Sequence, residues 1–92
     1  MEVIFKYPIS RTEILIELPK NSKVLTAQNQ EDSIMLWASA NYLEAEKTKR
    51  KFIVIGTGVA YQEHNLHYIN TVQIGRLVFH VFEDLNYVPK YK

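Results

Sequence analysis

The chain has 92 residues, 47% of them apolar and 23% charged, with a formal net charge of +1 and no cysteine. That composition suits one folded domain with a modest core and is wrong for a disordered chain. It excludes disulfides, thiolate metal sites and cysteine nucleophiles, and it lacks the basic excess of a general nucleic-acid binder. No apolar run approaches the ~20 residues of a membrane-spanning helix, and the start, MEVIFKYPIS, lacks the basic head and long apolar stretch of a signal peptide. The expectation is a soluble intracellular domain over residues 1–92 with no membrane partner.

Val3 to Tyr7 alternates and reads as a strand ended by Pro8, which cannot donate a ladder hydrogen bond. Glu13 to Leu18 sets Ile14, Ile16 and Leu18 against Glu13, Leu15 and Glu17, the pattern of a strand with one wet face. Pro19 to Ser22 is turn material, Lys23 to Gln30 a weaker strand, and Asn29 to Asp32 a hairpin loop. Ser33 to Asn41 follows, with Ile34, Leu36, Ala38 and Ala40 facing a core and Met35, Trp37 and Ser39 facing away.

Tyr42 to Arg50 is short and charged without an apolar stripe, so it is expected as a solvated loop or at most one helical turn. Lys51 to Ile55 is a strand broken by Gly56-Thr57-Gly58, and Val59 to Asn65 a loop carrying Tyr61, Glu63 and His64. Leu66 to Glu83 reads as two strands around a tight turn at Gly75. The second, Leu77 to Phe82, is apolar on both faces except at His80, so it is expected in the middle of a sheet or covered on both sides. A short chain has little material for such cover, which points to a homodimer. The tail, 83–92, is polar and aromatic and is expected to fray. The sum is an all-β fold of about seven short, mainly antiparallel strands, in a small sandwich or partly open barrel.

Candidate chemistry is sparse. His64 and His67 fall on opposite faces of a strand, and no ligand spacing brings them to His80, so no metal site is expected. His80 on an apolar strand reads first as a satisfied core or interface histidine. No serine sits in a nucleophile motif, and Glu83 and Asp84, adjacent on a strand, diverge, so no catalytic residue and no cofactor is assigned. The bland reading of that pair is a solvated cap on the sheet edge. Gly56-Thr57-Gly58 lacks the lysine and helix of a phosphate loop and reads as a bend. The aromatic residues are the sharper signal: Tyr7, Trp37, Tyr61, Tyr68 and Phe82, among others, are many for one small core, and such side chains suit interfaces and flat ligands.

Several segments together resemble a family of small uncharacterised proteins of bacterial viruses. They are Ile4 to Ile9, Ile16 to Lys20, Lys23-Val24-Leu25 with Gln28 and Gln30, Leu36-Trp37-Ala38 and Gly56-Thr57-Gly58. Tyr68-Ile69, Thr71-Val72-Gln73 and Leu77 to Glu83 complete the set. There is also a likeness to viral sponge proteins, homodimers that bind nucleotide immune signals such as ADP-ribose conjugates. The resemblance implies a non-enzymatic counter-defence protein of the host bacterial cytoplasm that sequesters such a signal or a cyclic nucleotide. On that reading bases stack on Trp37, Tyr7, Tyr61 or Phe82. Glu83 or Asp84 accepts from ribose hydroxyls, Arg11 meets a phosphate, and His80 lies in the same site. A small module that blocks a host protein through its aromatic face or a sheet edge fits the same features.

Overall fold

The computed structural model describes residues 1–89; Lys90, Tyr91 and Lys92, the end of the expected frayed tail, lie outside the described residues. Seven strands follow one another: β1 (Glu2–Ile9), β2 (Glu13–Pro19), β3 (Lys23–Gln30), β4 (Ser33–Asn41), β5 (Lys47–Gly56), β6 (Leu66–Ile74) and β7 (Leu77–Asp84). They form a three-stranded sheet, β1-β4-β3, and a four-stranded sheet, β2-β5-β7-β6, antiparallel throughout. The all-β expectation holds, as two open sheets and not a closed barrel.

The core lies between the sheets and follows the sequence alternation. Ile34, Leu36, Ala38 and Ala40 of β4 are buried, as are Ile16 and Leu18 of β2, Phe52 of β5, Val72 of β6 and Val81 of β7. Phe52 is the largest fully buried side chain, at 0% exposure. Each such strand turns every second residue to the core because side chains alternate along an extended backbone. Along one flank, β3 and β6 are joined by side-chain amides in place of a ladder. Asn70 Nδ2 donates to the Ala27 carbonyl at 2.7 Å, and Asn29 Nδ2 to the Gln73 carbonyl at 3.1 Å.

Two hairpins set register. Gln30 pairs with Ser33 across the two-residue turn Glu31-Asp32, both at positive φ (52° and 64°), which matches the strand twist. Asn29 Oδ1 accepts from the Asp32 amide at 2.9 Å and holds that turn. Ile74 pairs with Leu77 across Gly75-Arg76, where Gly75 alone takes φ 59°.

Two expectations need correction. The segment 42–50 is loop only as far as Glu46: a turn at Tyr42 and Leu43 and the stretch 44–46 lead into β5, which begins at Lys47. Lys47, Thr48, Lys49 and Arg50 pair with Pro19, Leu18, Glu17 and Ile16, so the charged run is a strand that alternates lysine outward and Thr48, Arg50 and Phe52 inward. Glu83 is not a solvated cap. It points between the sheets at 6% exposure, where Arg50 Nε and Nη2 donate to its two oxygens at 2.6 and 2.7 Å. Arg50 Nη1 also donates to the Ser22 carbonyl at 2.6 Å, tying the four-stranded sheet to the β2–β3 turn. As expected, β7 is central, between β5 and β6, and the chain's own 57–65 loop lies across part of its outer face.

Candidate functional site

The site is built on the outer face of the four-stranded sheet. On β5, Ile53 and Ile55 point outward, opposite in parity to buried Phe52. On β7, His80 and Phe82 point outward, opposite in parity to Val81 and Glu83. β6 would bring only every second residue to this face, but a bulge between Tyr68 and Asn70 resets its parity. Tyr68 therefore stands opposite Phe82, and Thr71 opposite His80, on the same side although they are three residues apart.

The 57–65 loop lies across this face and is fastened at both ends. The Thr57 amide and hydroxyl donate to the Val78 carbonyl at 3.1 and 3.2 Å. At the far end Asn86 Nδ2 donates to the His64 carbonyl at 2.7 Å and the Leu85 amide to the Asn65 carbonyl at 3.0 Å. Gly58, at φ 88°, supplies a backbone conformation that a side chain would strain. The fastened loop sets Tyr61 against Phe82, ring centroids 5.7 Å apart, while Tyr68 meets the same ring edge-on at 5.6 Å.

Two open hollows result, sharing Ile55 and Tyr61. The first, of about 560 Å³, is lined by the three aromatic rings, by Thr57, Thr71 and His80, and by Glu63 of the loop. The second, of about 610 Å³, lies toward β2 and takes in Glu13, His64 and Asp84. Lys51 stands in the same quarter, with Nζ 2.9 Å from Glu13 Oε1 and 3.8 Å from Asp84 Oδ2. The hydrogen bond to Glu13 is the main reason its pKa lies above the ordinary lysine value, with the charges of Glu13 and Asp84 adding to it against some desolvation.

The polar side chains of the first hollow form one continuous row. Tyr68 OH lies 2.5 Å from Thr71 Oγ1, which lies 3.0 Å from His80 Nδ1; His80 Nε2 lies 2.8 Å from Thr57 Oγ1. Among the described residues no lysine or arginine lines this hollow. Among the described residues no group of three or more His, Asp and Glu side chains is placed to hold a metal ion. No helix among them is long and apolar enough to cross a membrane.

The residues singled out from the sequence separate into groups. Tyr61, His80 and Phe82 meet in the first hollow, and Asp84 lines the second with Tyr61. Glu83 lies on the other face of β7, held by Arg50. Arg11 lines a different hollow of about 540 Å³ at one end of the sandwich, among Ile9, Asp32, Ile34 and Phe79. Tyr7 is half-buried on β1 beside the core, and burial raises its hydroxyl pKa. Trp37 is on the outer face of the three-stranded sheet, paired in register with Lys6 and Thr26. Thr57, Glu63, Tyr68 and Thr71 join the first hollow without having been assigned to a site from the sequence. The bulge hides the kinship of Tyr68 and Thr71, since strict alternation puts them on opposite faces.

A family model matches residues 1–90. The chain belongs to the family described as Domain of unknown function (DUF7352). No curated protein and no solved structure matches it.

Proposed function

We propose that the protein binds a nucleotide-derived small molecule in the hollow under the 57–65 loop and sequesters it unchanged, as a bacteriophage counter-defence protein in the host cytoplasm. The observation that carries this reading is the convergence of Tyr61, Tyr68 and Phe82 beside a row of hydroxyl and imidazole groups. Aromatic faces hold a flat base, and a few placed polar groups orient it. The resemblance to viral sponge proteins supplies the class of ligand. Both ring nitrogens of His80 are taken up by threonine hydroxyls and no carboxylate stands in the row to orient the imidazole as a base, so the arrangement suits holding over reacting.

Tyr61, His80, Phe82 and, across the Tyr61 rim, Asp84 remain ligand residues in this reading; Tyr7, Arg11, Trp37 and Glu83 do not. The protein acts as a homodimer, for which the exposed apolar residues Ile4 and Phe5 on edge strand β1 speak, together with the small size of one core. Light scattering should then give twice the 10.8 kDa chain mass.

The test is to purify the protein from infected or defence-active bacteria, release ligand by heat, and identify it by mass spectrometry. An intact ADP-ribose conjugate or cyclic nucleotide, stoichiometric with protein and absent from a Tyr61→Ala, Phe82→Ala variant, is the expected result. A converted product would mean an enzyme. A bound host protein with no small molecule would favour the interaction module.

A further inference from the structure

Each sheet has two edge strands, β1 and β3 in one, β2 and β6 in the other. An edge exposes a row of unpaired backbone groups, and folded proteins blunt such rows with bulges and charges. β3 is bulged between Val24 and Thr26 and β6 between Tyr68 and Asn70, and side-chain amides tie these two strands together. β1 and β2 instead run in unbroken register with their neighbours, from Glu2 to Ile9 and from Glu13 to Pro19.

The backbone shows which groups of these two strands are open. The Met1 carbonyl accepts from the Tyr42 amide at 2.8 Å, on the β4 side. Backbone groups alternate in direction along a strand, so Val3, Phe5 and Tyr7 bond toward β4, while Glu2, Ile4 and Lys6 turn N–H and C=O to the open edge. Pro8 falls in the open row, where its missing N–H breaks no bond to β4. On β2 the Thr12 carbonyl accepts from the Val54 amide at 2.8 Å, which leaves Glu13, Leu15 and Glu17 on the open edge.

A second copy laid antiparallel along either row meets it about a two-fold axis. On β2 an axis through Leu15 sets Glu13 opposite the partner's Glu17 on both sides of the axis, and like charges directly opposite repel. On β1 an axis through Ile4 sets Glu2 opposite the partner's Lys6 on both sides, with Ile4 against the partner's Ile4. Each of these pairs exchanges two backbone hydrogen bonds, and Pro8 stays outside the paired stretch. Moving the axis to Phe5 would put Pro8 opposite the partner's Glu2, losing both hydrogen bonds and ion pairs. On the inner face Val3 then meets the partner's Phe5. Phe5 lies opposite Ala38 on the core side of β1 and is still 42% exposed, while Ile4 is 60% exposed. Lys6 Nζ donates to Gln30 Oε1 at 2.7 Å and keeps further hydrogens for a carboxylate.

From this we infer that the protein pairs with a second copy of itself through β1, antiparallel and centred on Ile4, so that the two three-stranded sheets join into one. The inference rests on the homodimer proposed above and gives it an interface and a register. It does not depend on the ligand.

The chain has no cysteine, so single cysteines report the register in the full-length protein. The Cα atoms of a hydrogen-bonded antiparallel pair lie about 5.5 Å apart, within disulfide range. Under mild oxidation Ile4→Cys is expected to give a covalent dimer, and Leu15→Cys, on the β2 edge, to do so at least about tenfold more slowly. By light scattering, Glu2→Lys and Lys6→Glu are each expected to weaken the dimer about tenfold, since either change sets like charges opposite at both ends. An equimolar mixture of these two variants is expected to recover the dimer, because each then faces its opposite charge. Equal cross-linking at positions 4 and 15, or a mixture no more dimeric than its components, would overturn the inference while a dimeric wild type kept the homodimer standing. A wild type that is monomeric at high micromolar concentration would overturn both and leave the ligand reading to its own test.

Discussion

Strand β7 carries Glu83 on its inner face and His80 on its outer face, and the two faces treat them differently. On the inner face Glu83 is buried and paired with Arg50 through two hydrogen bonds of 2.6 and 2.7 Å. On the outer face His80 is held between two threonine hydroxyls, open to a hollow that water can fill. The first arrangement is fully used up by the fold. The second leaves lone pairs and aromatic surface facing outward, which is the condition for binding. Two neighbouring residue types that look alike in a sequence therefore belong to stability and to function respectively.

The comparison breaks most visibly at Glu83. Glu83→Ala leaves the part-buried Arg50 guanidinium without its carboxylate partner and should cost about 3 kcal/mol in urea melts. A loss under about 1 kcal/mol would mean that the pair is effectively solvated. Next in size is the core register of β2. Ile16→Ala should cost about 2–4 kcal/mol and Glu17→Ala, on the outer face, under about 0.5 kcal/mol. The reverse order would show the strand seated the other way round. On the outer face of the same sheet, Thr71→Val on β6 should change stability by less than about 1 kcal/mol, since the group is exposed, while weakening ligand binding.

The smallest effect belongs to Lys51. The ammonium is favoured in the fold chiefly by the hydrogen bond to Glu13, so its folded pKa is raised. The corresponding stabilisation is whole below the ordinary lysine value and fades as pH rises through the raised one. It is worth under about 0.5 kcal/mol at so accessible a site. Tyr7, whose pKa is raised by burial, loses stability with the same sign in the alkaline range. Wild type should therefore lose slightly more stability than Lys51→Met as pH climbs through that range, and a parallel pair of melting curves would show the ion pair to be inert.

Much of the fold was legible. The alternations at Ile14-Ile16-Leu18 and Ile34-Leu36-Ala38-Ala40 name the core faces directly, and the apolar run from Leu77 to Phe82 locates the central strand. Lys47 to Arg50 misleads because its charges mask a strand alternation, lysines out and Arg50 in, that only a buried carboxylate makes tolerable. Glu83 misleads for the same reason: the partner that permits its burial lies 33 residues away, beyond local pattern. The site was half legible. Tyr61, His80 and Phe82 stand out as aromatic or titratable groups in an apolar setting. Their companions Tyr68 and Thr71 depend on a bulge, and Trp37 illustrates that an outward aromatic can belong to the wrong sheet.

The account's central claim is that binding takes place under the 57–65 loop and not on the Trp37 face. It is tested most directly by melting wild type, Tyr61→Ala and Trp37→Ala with and without ADP-ribose. Ligand at a hundred times Kd stabilises a fold by about 2.7 kcal/mol, which for a domain this small is a rise of roughly 10 °C or more. Wild type and Trp37→Ala are predicted to share that rise and Tyr61→Ala to lose it. A rise retained by Tyr61→Ala and lost by Trp37→Ala would contradict the account.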